Sequence, residues 1–185
     1  TITQQLAKNM LGQGSKNTFS RIIEKIKEMI VAIKLERNFT KEEIITYNPK
    51  KGFEHIEPII KQLPQYQWVP LSGMTRMEMR ELLRKTKLHV DFGYFPGRDK
   101  IPREALISGC CLLTGREGTA GFKEDLNIPE EYKLFDEQIT SEIIIPKIKY
   151  IMENFIEVRK TQESFRNFVL NEKQRMKDEI QNLFQ

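Results

Sequence analysis

The residues best suited to chemistry are cations and glycines that lie in short polar stretches after apolar ones. Lys51 and Gly52 follow one apolar stretch, Gly73 follows a second, and residues 97–104 follow a third. Glycine lets backbone N–H groups approach a ligand closely, and lysine and arginine supply positive charge. A phosphate or diphosphate group is the natural ligand for such a set. The candidate binding residues are Lys51, Gly52, Gly73, Gly97, Arg98, Lys100, Arg103 and Glu104.

The third stretch also contains a predicted helix start. Proline suits the first helical position, so Ile101-Pro102 marks the start, and helix N-termini favour anions by about 0.3–1 kcal/mol at exposed sites. Glu104 follows one turn later, and a carboxylate beside a phosphate site suits sugar hydroxyls. The plainer alternatives are that Glu104 only complements its helix, that Lys51 is a solvated turn residue, and that residues 98–100 form a charged surface loop.

Several other chemistries have no support in the sequence. The absence of GxxxxGK[ST] and GxGxxG motifs argues against an NTPase or a dehydrogenase. His55 and His89 are isolated from any metal-ligand spacing, so no metal site is expected. Cys110 and Cys111 are adjacent on a predicted strand and would point to opposite faces, which predicts two buried thiols and no disulfide between them.

Composition narrows the class of protein. The chain has 185 residues, of which 39% are hydrophobic and 30% charged, and its mean hydropathy is −0.51, as in soluble globular proteins. The net charge of +4 is spread along the chain, so no nucleic-acid partner is expected. No apolar run is long enough to span a bilayer and no signal peptide is recognisable. Because the first residue is Thr1, we expect a fragment or a processed product.

Strands and helices alternate along the middle of the chain, which predicts an α/β fold with a Rossmann-like parallel sheet and flanking helices. The predicted domain covers residues 44–185, preceded by a helical segment at 1–43. It ends in long helices at 140–184, in two pieces that bend near Lys160-Thr161. In such sheets ligands bind outside the carboxyl ends of the strands. The predicted elements are strands at 44–47, 66–71, 88–92, 110–114 and 132–135, and helices at 53–62, 75–87 and 101–108.

This order of elements and motifs resembles the C-terminal, donor-binding half of GT-B fold glycosyltransferases, which use nucleotide-sugars. The resemblance rests on the Lys51-Gly52 pair, the Ser72-Gly73-Met74 turn and Arg103-Glu104-Ala105. It implies that Lys51 contacts the donor diphosphate, that Glu104 binds the nucleotide ribose and that the turn lies near the base. The substrate would be a nucleotide-diphosphate sugar in bacterial glycan synthesis, with no separate cofactor.

The resemblance also implies what a complete enzyme needs. An N-terminal acceptor domain would have to supply the catalytic partner, so this chain is expected to have little transferase activity alone. The expected compartment is the cytoplasm, with peripheral association of the full enzyme at the inner membrane face left open. Pro96 stands where many retaining members have a glutamate, and Thr46 replaces a common basic residue. The sugar, and retention against inversion, therefore stay open.

The first 45 residues carry a second resemblance. TITQQLAKN at 1–9 and KLER at 34–37 are similar to the peptidoglycan glycosyltransferase domain of class A penicillin-binding proteins. Glu28 matches the glutamate of that family's arginine-lysine-x-x-glutamate motif and Lys25 the lysine, whereas Glu24 replaces the arginine. Glu28 would be catalytic only if this resemblance is functional; otherwise it is a solvated carboxylate on an amphipathic helix.

Three functions therefore remain open. The first is a nucleotide-sugar donor domain, and the second is a transglycosylase fragment that uses a lipid-linked donor. The third is a non-catalytic interaction module that would bind partners through the helices at 18–37 and 140–184.

Overall fold

The structure, a computed structural model, describes Ile23 and residues 41–183. The chain divides into two compact units, residues 1–40 and residues 41–185. Ile23 lies in a helix. The rest of the predicted helical segment up to residue 40, with Glu28, lies outside the described residues.

The second unit contains a parallel sheet whose strands run in the order β2-β1-β3-β4-β5. The predicted α/β fold class is confirmed. β1 begins two residues before the predicted boundary at 44, and β5 is shorter than predicted. The strands are β1 (Glu42–Tyr47), β2 (Gln67–Pro70), β3 (Thr86–Asp91), β4 (Cys111–Gly115) and β5 (Lys133–Leu134).

α-Helices connect β1 to β4 in turn and follow the sheet. The α-helices of the described residues are α1 (Phe53–Gln62), α2 (Arg76–Lys85), α3 (Lys100–Ile107), α4 (Ser141–Glu153), α5 (Phe155–Thr161), α6 (Glu163–Leu170) and α7 (Glu172–Leu183). A capping box begins α2: Thr75 accepts a hydrogen bond from the Glu78 backbone N–H, and the Glu78 side chain accepts one from Thr75.

The C-terminal region contains four helices instead of the two predicted. The breaks fall at Asn154, Gln162 and Asn171. Both asparagine side chains donate to the carbonyl four residues earlier, at 3.0 and 2.9 Å, and such bonds compete with the helical backbone ladder. The Gln162 amide instead pairs with both backbone groups of Leu112 at 2.9 and 3.0 Å. It thereby completes the hydrogen bonding of β4.

The central strands are buried on both faces, as expected for a parallel sheet covered by helices. Ile45, Leu88 and Cys111 are aligned across β1, β3 and β4, and this face packs against α1, α4 and α5. Thr46 and His89 lie on the opposite face, which packs against α2 and α3. The carboxyl ends of the strands are thus held rigidly.

Candidate functional site

The strand order creates a crevice between β1 and β3. The chain leaves β1 toward β2 on one side and returns to β3 on the other. At such a switch point the connections diverge to opposite faces of the sheet, and ligands bind in the opening. The loop after β1, residues 48–52, and the loop after β3, residues 92–99, border this crevice.

Two glycines allow these loops to approach each other closely. Gly52 has φ of +69°, and a Cβ there would lie 2.7 Å from the backbone carbon of Phe92. A Cβ on Gly93 would overlap the side-chain carbons of Lys51. Gly52 thus allows the close approach of another loop, and its predicted approach to a ligand stays a prediction. Gly93 leaves the space in which Lys51 lies.

Lys51 is the cation of the crevice. Its Nζ donates to the Tyr94 carbonyl at 3.0 Å and forms a short ion pair with Asp99. The Asp91 Oδ2 atom lies 3.8 Å away, and the centre of the Phe95 ring is at 4.3 Å. We call Lys51, Asp91 and Asp99 the switch-point cluster. A lysine held by two carboxylates can exchange one of them for an anionic ligand.

Asp91 is the most buried member of the cluster, with 1% of its side chain exposed. Its Oδ1 accepts a hydrogen bond from the Gly93 N–H at 3.0 Å, whereas its Oδ2 has no hydrogen-bond partner. Burial raises the pKa of Asp91 to about 6, although Lys51, the Gly93 N–H and the Asn48 side chain all favour the charged form. The cluster therefore changes charge near neutral pH.

Further buried polar groups lie on the same face of the sheet. His89, two residues before Asp91, places its Nδ1 3.1 Å from the Thr46 hydroxyl oxygen. Burial lowers the pKa of His89 to about 3, so the ring is neutral at physiological pH. His89 Nε2 and the Thr114 hydroxyl are buried without a partner. Within residues 41–183 no group of three His, Cys, Asp or Glu side chains is placed to hold a metal ion.

The start of α3 also faces the loop after β3. Asp99 is its N-cap residue, but the carboxylate makes no capping bond and pairs with Lys51 instead. The first turn contains no acidic residue. The backbone N–H groups there consequently lack a side-chain acceptor, which is the condition under which helix N-termini bind anions.

The other predicted charged residues line a separate groove along α3. Its volume is about 870 Å³, and we call it the α3 groove. It is bounded by the start of α2, by α3, and by α6 and α7. The lining residues are Arg76, Arg98, Lys100, Arg103, Glu104, Ile107, Phe168, Val169, Glu172, Lys173, Arg175, Met176 and Glu179.

Ion pairs connect most of the charges in the α3 groove. The Glu172 carboxylate pairs with the guanidinium groups of Arg103 and Arg98, at N–O distances of 2.6 and 3.1 Å. Glu104 lies 3.6 Å from Arg76, which is 88% exposed. Water screens the pairs of Arg76 and Arg98, and each contributes only about 0–1 kcal/mol, whereas Arg103 is 11% exposed and is screened less. A ligand can therefore rearrange the pairs of Arg76 and Arg98 at little cost.

The structure thus separates the eight predicted residues. Lys51 and Gly52 lie in the crevice, whereas Arg98, Lys100, Arg103 and Glu104 line the α3 groove. Gly73 and Gly97 make no close approach, because a Cβ on either would meet no atom within 4 Å. Asp99 and Lys100 are consecutive, so the crevice and the groove adjoin at the start of α3.

Sequence reasoning predicted Glu104 but missed the carboxylates Asp91, Asp99 and Glu172. A signal existed for Asp91, a charged residue that ends an apolar strand run, and for Asp99, which directly precedes a helix start. No local signal existed for Glu172, because it lies 69 residues from its partner Arg103.

The comparisons with known proteins concern the beginning of the chain. Residues 1–48 match the model of a family described as Transglycosylase. This match covers 48 of 185 residues and ends just after β1, before Lys51 and the other donor-site candidates. No curated protein matches the chain. The match agrees with the resemblance at residues 1–45 and supports glycosyl transfer as the class of chemistry.

Among residues 41–183 no helix is both long enough and apolar enough to cross a membrane.

Proposed function

We propose that residues 41–183 form the donor domain of a glycosyltransferase and bind the diphosphate and nucleoside of a nucleotide-diphosphate sugar. The observation that carries the proposal is the position of Lys51. It lies in the crevice between β1 and β3, beside the uncapped start of α3. This is where open α/β sheets bind nucleotides.

In the proposed complex the donor diphosphate takes the place of Asp99 beside Lys51. Asp99 is 26% exposed and can turn toward solvent or toward the free N–H groups of α3. The diphosphate gains a charge-assisted hydrogen bond from Lys51 and the partial positive charge of the helix start. The exchange replaces one carboxylate by a dianion.

The nucleoside extends from there into the α3 groove. Glu104 accepts hydrogen bonds from the ribose hydroxyls, which releases its pair with Arg76. Ile107, Phe168 and Met176 supply apolar surface for the base. Arg98, Lys100 and Arg103 add positive charge along the path. Gly73 and Gly97, which have open space around them, are kept as donor-site residues in this proposal.

The acceptor and the catalytic partner come from a separate N-terminal domain in this proposal. Residues 41–183 hold the donor, and Pro96 stands where a retaining enzyme would place a glutamate. Transfer activity of this chain alone is expected to be small. The full enzyme would work in the cytoplasm or against the inner face of the membrane, where glycan acceptors are exposed.

Calorimetry on the full chain tests the proposal, with UDP-glucose, GDP-mannose and ADP-glucose as probes. At least one should bind, and Lys51→Ala should weaken its binding by about tenfold or more, the loss expected for a charge-assisted contact. Lys50→Ala is the matched control, since Lys50 is the exposed neighbour of Lys51. If none of the probes binds, or if both variants bind like the wild type, the donor-domain proposal fails.

The family match favours a second candidate, a transglycosylase fragment that uses a lipid-linked donor. Under this proposal Glu28 takes part in catalysis, and the sheet serves another purpose. A phosphoglycolipid that imitates the lipid-linked donor should then bind the full chain, and Glu28→Gln should weaken it while Lys51→Ala does not. The opposite pattern with nucleotide-sugars would favour the donor domain.

A further inference from the structure

The two carboxylates beside Lys51 differ in their access to water. Asp91 exposes 1% of its side chain and Asp99 exposes 26%. Water can stabilise an ionised Asp99 in whatever direction it turns. Asp91 cannot leave its position at the end of β3, and its ionised form depends on the groups that surround it.

Those groups compensate the charge of Asp91 incompletely. The Gly93 N–H occupies Oδ1, while Oδ2 has no hydrogen-bond partner. The nearest cation, Lys51, lies 3.8 Å from Oδ2, and it also serves Asp99 and the Tyr94 carbonyl. A buried carboxylate with so little compensation gains stability when it takes up a proton.

No other charge in the described surroundings replaces Lys51. Asn48 contributes a neutral side chain, and the charge of Asp99 opposes that of Asp91. His89 lies on the same face of β3 and is neutral, and Thr114 is the neighbour of Asp91 in the register of β4. The protonation state of Asp91 is thus governed by Lys51 and by whatever anion Lys51 holds.

We propose that Asp91 couples ligand binding to proton uptake, so that the site takes the dianionic diphosphate of its donor together with one proton. This inference rests on the proposed function, in which the diphosphate pairs with Lys51. A bound diphosphate takes over the contact of Asp99 with Lys51 and, as a dianion in place of a monoanion, adds one net negative charge near Asp91. Both effects disfavour the ionised carboxylate, and Asp91 becomes a neutral hydrogen-bond donor whose proton is available to a ligand oxygen.

The sign of the pH dependence follows from this coupling. The proton affinity of Asp91 is higher in the complex than in the free protein. Ligand affinity is therefore independent of pH at low values, where Asp91 is protonated in the unliganded protein as well as in the complex. At higher pH the affinity falls, until Asp91 is ionised in the complex too. Each unit by which the ligand raises the pKa corresponds to about a tenfold change in affinity.

The experiment titrates the full chain by calorimetry at pH 5.5 and pH 8.5, with the tightest of UDP-glucose, GDP-mannose and ADP-glucose. Each probe keeps two negative charges over this range, since both its phosphates are diesters. Affinity should be at least about fivefold weaker at pH 8.5. Titrations at pH 7 in two buffers of different ionisation enthalpy should show proton uptake by the complex.

Asp91→Asn, which keeps the shape of the side chain, should remove both the pH dependence and the proton uptake. It should also bind more tightly than the wild type at pH 8.5. His55→Gln is the control for the partly exposed imidazole on α1. His55→Gln should keep the wild-type pH dependence. Asp99→Asn tests the half-buried carboxylate that shares Lys51 with Asp91. It should keep the proton uptake but move the pH dependence to lower pH, because Asp91 loses a neighbouring negative charge.

The outcomes separate the two proposals. Binding that is independent of pH in the wild type, or that changes equally with pH in Asp91→Asn, overturns the proton coupling and leaves the donor domain standing. Failure of all three probes at both pH values overturns the donor domain itself. If Asp91→Asn does not fold, proton uptake that persists in His55→Gln and Asp99→Asn supports the coupling, and its absence from the wild type overturns it.

Discussion

The switch-point cluster and the α3 groove both pair cations with carboxylates, but in opposite ratios. In the cluster, one cation, Lys51, stands between two carboxylates. In the groove, one carboxylate, Glu172, stands between two arginines, Arg98 and Arg103. The central carboxylate of the groove is 38% exposed, whereas Asp91 of the cluster is 1% exposed. Solvent therefore screens Glu172 and Arg98 of the groove, although Arg103 is only 11% exposed, whereas Asp91 depends on the contacts within the cluster.

This difference shows why similar ion pairs have different consequences. Taking a charge out of water costs several kcal/mol, and removing the partner of a buried charge is correspondingly expensive. An exposed pair loses little when one member is removed. Substitutions in the cluster should consequently change stability and binding more than equivalent substitutions in the groove.

The largest effect is expected from Gly52→Ala. Alanine at this position would have to keep φ of +69°, and its Cβ would lie 2.7 Å from the backbone carbon of Phe92. Either the start of α1 or the loop after β3 must therefore shift. We expect the free energy of unfolding to fall by about 2–4 kcal/mol. Urea denaturation followed by circular dichroism measures it.

Gly73→Ala and Gly97→Ala are graded controls for this prediction. Gly73 has φ of +70° but open space around it, and should lose about 1 kcal/mol from backbone strain alone. Gly97 has neither constraint and should change by less than about 0.5 kcal/mol. Equal losses at Gly52 and Gly73 would mean that the close approach of the two loops contributes nothing.

Lys51→Met should have the next largest effect. It leaves the buried Asp91 without its cation, and at pH 8 the free energy of unfolding should fall by about 1–3 kcal/mol. The loss should shrink at pH 5, because Asp91 is then protonated. Arg98→Met removes a cation of similar size from the groove and should cost under about 1 kcal/mol at either pH. Thermal unfolding at the two pH values decides whether burial is the controlling variable.

The sequence was sufficient for the fold of residues 41–183 because the pattern there is local. Apolar strand runs, the Thr75 capping box and proline near the start of α3 each act within a few residues, and the predicted element bounds agree with the structure to within a few positions. The prediction missed the helix breaks at Asn154 and Asn171, where each asparagine side chain donates to the carbonyl four residues earlier. The hydrogen bonds of Gln162 to β4 join residues 50 apart in sequence.

The candidate site was predictable only in part, for a related reason. Lys51 could be placed at a strand end from local sequence, but its partner Asp99 is 48 residues away. Which loops meet depends on strand order, and that order emerges only when the sheet forms. The contact between Glu104 and Arg76 depends on the packing of α2 against α3, which neither helix reveals alone. The sequence thus pointed to Lys51 and to Glu104 but not to Asp91, Asp99 and Glu172, the carboxylates that pair with the predicted cations.

Asp91→Asn tests the effect of burial through the pH dependence of the free energy of unfolding. Burial raises the pKa of Asp91 from 3.8 to about 6 in the folded state, so the folded state holds more protons between these values. The contribution of Asp91 to stability is therefore present at low pH, and it is lost as the pH rises through this window. Asp91→Asn should be more stable than the wild type by about 1–2 kcal/mol at pH 8.

At pH 4 the same variant should show no gain. His89 titrates in the opposite sense, since burial lowers its pKa to about 3, but it does so in both proteins and cancels in their difference. Chemical denaturation at pH 4, 6 and 8 measures that difference. A gain that is equal at all three values would contradict a buried, ionising Asp91.

The smallest effect is expected from Glu172→Gln in the α3 groove. The variant removes the carboxylate that Arg98 and Arg103 share. Arg98 is 56% exposed and remains solvated, and Arg103, which is 11% exposed, keeps an amide oxygen as its hydrogen-bond acceptor. Unfolding free energy should fall by about 0.5–1 kcal/mol at low salt, and most of this loss should disappear in 1 M NaCl, where the screening length is about 3 Å. A nucleotide-sugar should bind about twofold more tightly, because the groove gains net positive charge while Lys51 is untouched. If Glu172→Gln instead cost more than Lys51→Met, burial would not be what separates the two regions, and the groove would be the part of the site that depends on its own contacts.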